Sequence, residues 1–328
     1  MSWEEEVMSL ARILLSIGLA GLWLVVGSAA EAGPRLYVSN EFANTVTVID
    51  LDTQKSVATI PVGKRPRGIK ASPDRRRVYV AIGEENVIAV IDTESNTVVE
   101  KIPAGADPEA FALSPDGRFI YVSNEESHTA SLIDVAQRKV VGVVKVGIEP
   151  EGVAVSPDGK WVYVSSETSH TISVIDAGTF KVVATVLVGD RPRGIAFSPD
   201  GTRAYVAAEV GGTVSVLDAK THKVIDTITV LRDDEKPMGV AVLPDGKKVY
   251  VSTGRGDNVA VIDARTHKVL QYIPVGKRAW GIAITPDGKR AFTANGVSEN
   301  ISVIDTATDK VIGTLPAGKG AWGIAIVW

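Results

Sequence analysis

Short runs of β-branched and aromatic residues, each broken by a polar turn, recur along the chain from about residue 35 to its end. One stretch shows the unit: Gly152-Val-Ala-Val-Ser156, the turn Pro157-Asp158-Gly159, Trp161-Val-Tyr-Val-Ser165, a polar loop, Thr171-Ile-Ser-Val-Ile-Asp176 and Lys181-Val-Val-Ala-Thr-Val-Leu-Val188. Such runs between turn signals predict four strands per unit, and Pro-Asp-Gly is a turn in which proline presets φ and glycine accepts a positive φ. The unit repeats. Aspartate closes a Val-Ile-Asp-like triplet at positions 50, 92, 134, 176, 218, 263 and 305, in steps of 42 with a single step of 45. A repeat of this length cannot bury an apolar face alone, so its copies must stack on one another.

Strand order within the unit is also legible. Proline recurs in the fourth strand at Pro61, Pro103, Pro274 and Pro316, which places that strand at a sheet edge. Glycine recurs near the start of the first strand at Gly68, Gly152, Gly194, Gly239, Gly281 and Gly323, as expected where backbones crowd around an axis. The expectation is an all-β, seven-bladed β-propeller of four-stranded antiparallel blades. The chain enters with a second-type strand, Arg35-Leu-Tyr-Val-Ser39, and leaves with a first-type strand, Gly323-Ile-Ala-Ile-Val327. One blade is therefore shared between the two ends, which closes the ring and removes its open seam.

Residues 1–32 lie outside the repeat. Arg12, the apolar run Ile13 to Val26 and the small residues ending in Ala30-Glu31-Ala32 read as a cleavable secretory signal, with Met8 as an alternative start because Glu4, Glu5 and Glu6 are atypical of a signal's charged beginning. The apolar run is shorter than the roughly 20 residues of a membrane span. The expected domains are 1–32, signal peptide, and 33–328, propeller, in a periplasmic or secreted monomer. Residues 1–32 carry four acids and one base, so the remainder has a net charge of −1, without the basic signature of bulk nucleic-acid binding. Cysteine is absent, which excludes disulfides, thiolate zinc sites and C-x-x-C-H haem attachment.

The repeats stop agreeing in the loops that lead into each first strand, at the channel mouth. These read Lys64-Arg-Pro-Arg67, Asp107-Pro-Glu109, Glu149-Pro-Glu151, Arg191-Pro-Arg193, Lys236-Pro-Met238, Arg278-Ala-Trp280 and Gly320-Ala-Trp322. Candidate ligand-binding residues are Arg65, Arg67, Glu109, Glu149, Glu151, Arg191, Arg193, Arg278, Trp280 and Trp322. Guanidinium groups suit carboxylate or phosphate and indole faces suit a planar or apolar ligand, a mixture common in small-molecule sites. The competing reading is that Arg and Glu of neighbouring blades pair with each other and lock the ring. The three extra residues of the 45-residue step fall in the same set of loops, in Leu231-Arg-Asp-Asp-Glu-Lys-Pro237.

A second set of loops on that face carries Glu41, Glu125, Glu167 and Glu209 at one repeat position, with His128 and His170 three residues beyond the second and third. His128, His170, Glu125 and Glu167 are the candidate metal ligands. The expected separation of such positions on neighbouring blades, on the order of 10 Å, argues against shared ligation, and the glutamates could instead cap their own loop amides. His222 and His267, in Thr-His-Lys turns of the opposite face, read as exposed turn residues.

Tyr37-Val-Ser-Asn40, Tyr121-Val-Ser-Asn124, Asn44-Thr-Val-Thr-Val-Ile-Asp50 and Ile60-Pro-Val-Gly63 resemble the YVTN family of β-propeller repeats over the whole of residues 33–328. Arg65-Pro-Arg-Gly68, Asp107-Pro-Glu109, Glu149-Pro-Glu-Gly152, Ser166-Glu167-Thr168, Ala208-Glu-Val-Gly-Gly-Thr213 and Asn295-Gly-Val-Ser298 narrow the likeness to PQQ-dependent catabolism-associated β-propeller proteins. That resemblance implies a periplasmic accessory protein encoded beside transport genes and quinoprotein alcohol oxidation, with no established reaction. Its implied partners are a quinoprotein dehydrogenase or a transporter component, and its ligand a small anion, with PQQ or a metal ion as lesser cofactor readings. No Gly-x-Ser-x-Gly, Walker or His-Glu-x-x-His motif is present. A lactonase-like hydrolase is the alternative, if Glu109, Glu149 or Glu151 are close together and perturbed, and a single-stranded nucleic-acid binder using Arg and Trp is a further one.

Overall fold

The computed structural model describes residues 33–328; the expected signal segment, 1–32, lies outside the described residues. Seven antiparallel sheets of four strands each make up the propeller. We number the blades 1 to 7 in chain order. Blade 4 is typical, running outward from the axis as Pro150–Val155, Trp161–Ser166, Thr171–Asp176 and Lys181–Leu187. Blade 1 is the shared one: Ala321–Val327 is its inner strand, and Arg35–Asn40, Thr45–Asp50 and Lys55–Pro61 complete it. Each inner strand packs against the next around a closed ring. Among the described residues no helix is long and apolar enough to cross a membrane.

The core is divided between the blades. Seven apolar clusters each span two neighbouring sheets, such as Tyr37, Val48 and Ile60 of blade 1 against Ile69, Val80 and Ile91 of blade 2. No blade owns a core, so each is stable only between its neighbours. The crowding at the axis is real: a Cβ on Gly152 would stand 2.1 Å from the Arg193 carbonyl oxygen, and one on Gly194 would stand 2.4 Å from that of Met238. The recurrent aspartates are turn caps. Asp50 Oδ1 accepts from the amide of Thr53 at 2.7 Å, and Asp176 repeats the arrangement with Thr179.

His222 and His267 are not simply exposed turn residues. His222 is half-buried: its Nδ1 lies 2.8 Å from the Tyr163 hydroxyl of the preceding blade and its ring packs edge-on against Trp161. Burial holds its pKa below the usual imidazole value. At the equivalent position Asn96 Oδ1 accepts from Tyr37 and Asp309 from Tyr250, so this turn residue fastens one blade to the one before. His267 Nδ1 meets Asp226 at 2.6 Å.

Candidate functional site

The mouth is built by a bulge. In blade 2, Pro66 pairs with Ile82 and Ile69 with Val80, which leaves Arg67 and Gly68 outside the ladder. The same register break stands at Glu109, Glu151, Arg193, Trp280 and Trp322. Bulges re-aim side chains at sheet rims, and here they turn the variable residue of each repeat toward the axis. Serines of the second strands hold the resulting backbone: Ser39 Oγ donates to the Arg67 carbonyl and Ser165 Oγ to that of Arg193, both at 2.6 Å, and Ser123 and Ser252 do the same for Glu151 and Trp280.

Two residues earlier the chain carries a positive φ at Arg65, Asp107, Glu149, Arg191 and Arg278, between 54° and 60°. That conformation is uncommon for residues with a Cβ. It is supported from the preceding blade, where Asn44, Asn86 and Asp257 accept the amides of Arg65, Asp107 and Arg278 through a side-chain oxygen. His128 and His170 occupy the same position and do the same work, Nδ1 accepting from the amides of Glu149 and Arg191 at 3.3 and 3.1 Å. This is why a histidine stands there: it is one of several acceptors that can cap the next blade's loop.

The position-matched glutamates do not cap their own loops; they hold arginines. Arg67 bonds Glu41 at 2.9 Å and Glu109, while Arg65 bonds Asp107 at 2.8 Å, Glu109, and Glu125 at 3.4 Å. A second network joins Arg191 and Arg193 to Glu151, Glu167 and Glu209. Glu109 is fully buried and Glu151 is 4 % exposed, so these are desolvated charges whose partners are obligatory. Burial, and then the charge of Glu151, push the Glu109 carboxyl well above its ordinary range against the pull of Arg67. Burial works the same way on Glu151, but Arg193 holds it below its ordinary value. Glu167, buried beside Glu151, is pushed up to about 8. Glu149 stands apart, its carboxylate accepting from Thr168.

Among the described residues the one group of ligating side chains within reach of each other is Asp107, Glu109 and Glu125, and the Arg65 guanidinium already sits among them. His128 and His170 do not join it.

The other side of the mouth is different. Trp280 and Trp322 lie 6.2 Å apart in a stacked pair, with the Arg193 guanidinium over the Trp280 ring and that of Arg67 over the Trp322 ring, each 6.0 Å from the ring centre. The Arg278 guanidinium stands 4.9 Å over Trp280, and among the described residues no carboxylate lies within 4 Å of it. The inserted loop beside it folds on itself: buried Glu235 accepts from the amides of Arg232 and Asp233, and Arg232 covers Tyr272 at 4.4 Å.

Below the mouth runs an axial cavity of about 140 Å³ lined by the glycine ring, aliphatic side chains, Phe111 and Met238. Pockets that take drug-sized ligands measure roughly 300–1,000 Å³, so a large planar molecule can cover this mouth but cannot descend. The charged residues lining the cavity are Glu151, Arg193 and Lys70. Lys70 escaped the sequence reading, although aligning the repeats would have exposed it: the equivalent residues are Ala112, Ala154, Ala196, Ala241, Ala283 and Ala325.

Two family models match parts of the chain: a cytochrome D1 heme domain over residues 82–186 and a 7-bladed beta-propeller lactonase over residues 179–316. No curated protein matches it. Among solved structures it is similar to Kuenenia stuttgartiensis hydrazine synthase, with a TM-score of 0.77 and 24 % identity over 84 % of this chain and 93 % of that one. A putative 6-phosphogluconolactonase from Bacteroides uniformis gives 0.75 and 19 % over 89 % and 99 %. A dihydro-heme d1 dehydrogenase in complex with DHE gives 0.66 and 21 % over 88 % and 74 %. The chain is thus a seven-bladed propeller with lactonase-like and cytochrome d1 heme-domain-like neighbours, and at these identities the shared property is the fold.

Proposed function

We propose that this propeller binds a planar carboxylate across its mouth and acts as a non-catalytic accessory protein outside the cytoplasm. The observation that carries the reading is the stacked Trp280/Trp322 pair beside an Arg278 guanidinium that has no carboxylate partner among the described residues. Indole faces take a flat ring, and a free guanidinium takes its carboxylate in a charge-assisted, two-pronged hydrogen bond. The other four arginines are spent on glutamates, so the ligand-binding set narrows from ten candidates to Arg278, Trp280 and Trp322. The likeness to PQQ-associated propellers supports PQQ, an aromatic tricarboxylate, as the first probe, and the apolar leader of residues 13–26 supports export to the periplasm beside a quinoprotein dehydrogenase or its transporter. The partial match to a heme-domain model supports a tetrapyrrole carboxylate as the second. The cavity offers a haem iron one thioether, Met238, and no imidazole, so a tetrapyrrole would be held by stacking and its carboxylates.

Calorimetric titration of purified protein with PQQ, a haem-type tetrapyrrole and benzoate tests this. Arg278→Ala and Trp280→Ala should each weaken binding by about tenfold, the scale of a desolvated cation–π contact, and Glu149→Gln should leave it unchanged. Absence of binding by the wild type, or binding indifferent to Arg278 and Trp280, overturns the reading.

One observation favours the hydrolytic alternative. Glu167 and Glu151 are neighbours with pKa values driven apart, the pattern of an acid–base pair. Turnover of a lactone panel that disappears in Glu167→Gln would establish it; both groups being committed to Arg191 and Arg193 makes it the second choice.

A further inference from the structure

Toward the face opposite the mouth, a tyrosine recurs in the second strand of every blade but the seventh, where Phe292 replaces it. Tyr37, Tyr163 and Tyr250 bond Asn96, His222 and Asp309 in the outer turn of the next blade, and Tyr121 packs on the Phe180 ring of that turn. Blade 2 breaks the pattern. The equivalent turn residue of blade 3 is Arg138, and arginine has donors only, so it cannot accept a hydroxyl proton. It turns to Glu100 instead, at 3.1 Å. Tyr79 is only 4 % exposed, yet among the described residues its hydroxyl bonds nothing.

Between blades 2 and 3 a crevice of about 360 Å³ opens, with Tyr79 in its wall. Val90, Ile102, Val135 and Ala136 make it apolar, and Arg76, Arg77 and Arg138 stand around it with Asp74 and Glu100. The three cations are not equivalent. Arg77 is paired with Asp92 and Arg138 with Glu100, whereas among the described residues the Arg76 guanidinium has neither ion pair nor hydrogen bond. Asp74 is committed to its own turn, accepting from the Ser72 hydroxyl and the Arg76 amide. A buried hydroxyl that needs an acceptor and a guanidinium that needs an anion therefore line one apolar slot. Tyr205 is also unbonded among the described residues, but Thr202 stands where blade 2 has Arg76, so that seam lacks the second half. The neighbouring position points the same way: five other copies of the turn carry glycine at φ 70° to 73°, and blade 2 carries Arg75 at 64°. That conformation disfavours a residue with a Cβ, and here it is occupied by a further cation.

We propose that this crevice binds a small monocarboxylate with an apolar tail. The carboxylate accepts a forked pair of hydrogen bonds from Arg76 and one from Tyr79, and the tail covers Val90, Ile102 and Val135. Three guanidinium groups against Asp74 and Glu100 leave one positive charge on the wall, which a monoanion balances. A dianion such as phosphate would meet those two carboxylates and leave the aliphatic lining uncovered.

Hexanoate is the probe, since its flexible chain gives the indoles of the mouth no flat ring to stack on. Calorimetric titration of the purified protein should show a single site, weakened about tenfold in Tyr79→Phe and in Arg76→Ala, the scale of one charge-assisted hydrogen bond. Phe292 already fills the equivalent position in blade 7, so Tyr79→Phe keeps the fold. Arg278→Ala should leave hexanoate binding unchanged, which separates this site from the mouth. Hexanol and inorganic phosphate should each bind on the order of tenfold more weakly, because each lacks one half of what the crevice recognises. Absence of hexanoate binding by the wild type would overturn the proposal, and so would binding indifferent to either Tyr79→Phe or Arg76→Ala. Loss of binding in Arg278→Ala would place the ligand at the mouth, and phosphate or hexanol binding as tightly as hexanoate would deny the combined recognition; each outcome would overturn it equally.

Discussion

One half of the mouth is closed by its own charges and the other half is open. In blades 1 to 5, four arginines meet seven carboxylates in two networks, and little of either sign is left to offer a ligand. Across the axis, blades 7 and 1 present two indoles and one guanidinium that, among the described residues, has no counter-charge in reach. The same bulge delivers both sets of side chains, so the backbone does not make the difference. It comes from which residue stands two places after the αL position, glutamate or arginine on one side and tryptophan on the other. A repeated scaffold can thus devote one sector to holding the ring and another to recognition without changing its fold.

The sharpest way to break that contrast is Arg193→Ala, which leaves Glu151 buried without its guanidinium and Glu167 with Arg191 alone. We expect a loss of about 3–5 kcal/mol in urea unfolding, and a loss under 1 kcal/mol would mean that the network is not structural. Next comes Gly152→Ala, whose methyl group would meet the Arg193 carbonyl; overpacking of this kind costs about 1–3 kcal/mol. Gly313→Ala, with nothing within 4 Å of the new carbon, should be neutral or slightly stabilising, and equal effects at the two glycines would refute the crowding. Smaller still is the pH dependence. Glu167 holds its proton more tightly folded than unfolded, so its stabilising contribution is full below about 4.5 and is lost as pH rises through about 8. The melting temperature should fall across that window, and Glu167→Gln should flatten the fall. The least effect belongs to the open side: Arg278→Ala should change stability by less than about 0.5 kcal/mol, although it should impair ligand binding.

Periodicity disclosed the architecture because its causes are local. Pro-Asp-Gly makes a turn, proline marks an edge and glycine marks the axis wherever each occurs, so seven copies report the same thing. The pairing of Arg193 with Glu151 and Glu167 was open in the sequence because the partners lie 42 and 26 positions apart and both a paired and a free guanidinium are written Arg. The histidines misled for a related reason. His128 resembles a ligand until Asn44, Asn86 and Asp257 are seen capping the equivalent amides. Likewise His222 gains its role from Tyr163 on the adjoining blade. Contacts between blades, not within them, separate the sequence reading from the structure.

The shared blade has a kinetic consequence. Within every other blade the strands that pair leave the ribosome one after another, but the amide of Gly323 bonds the hydroxyl of Ser39, 284 positions upstream. Until that last strand is synthesised, the inner edge of the first blade stays unpaired, a template for any other strand it meets. Closing so long a loop is entropically slow, so folding should finish in a single late step. A circular permutant with the ends joined and a new opening between two blades would pair those four strands consecutively, and should lose that delay.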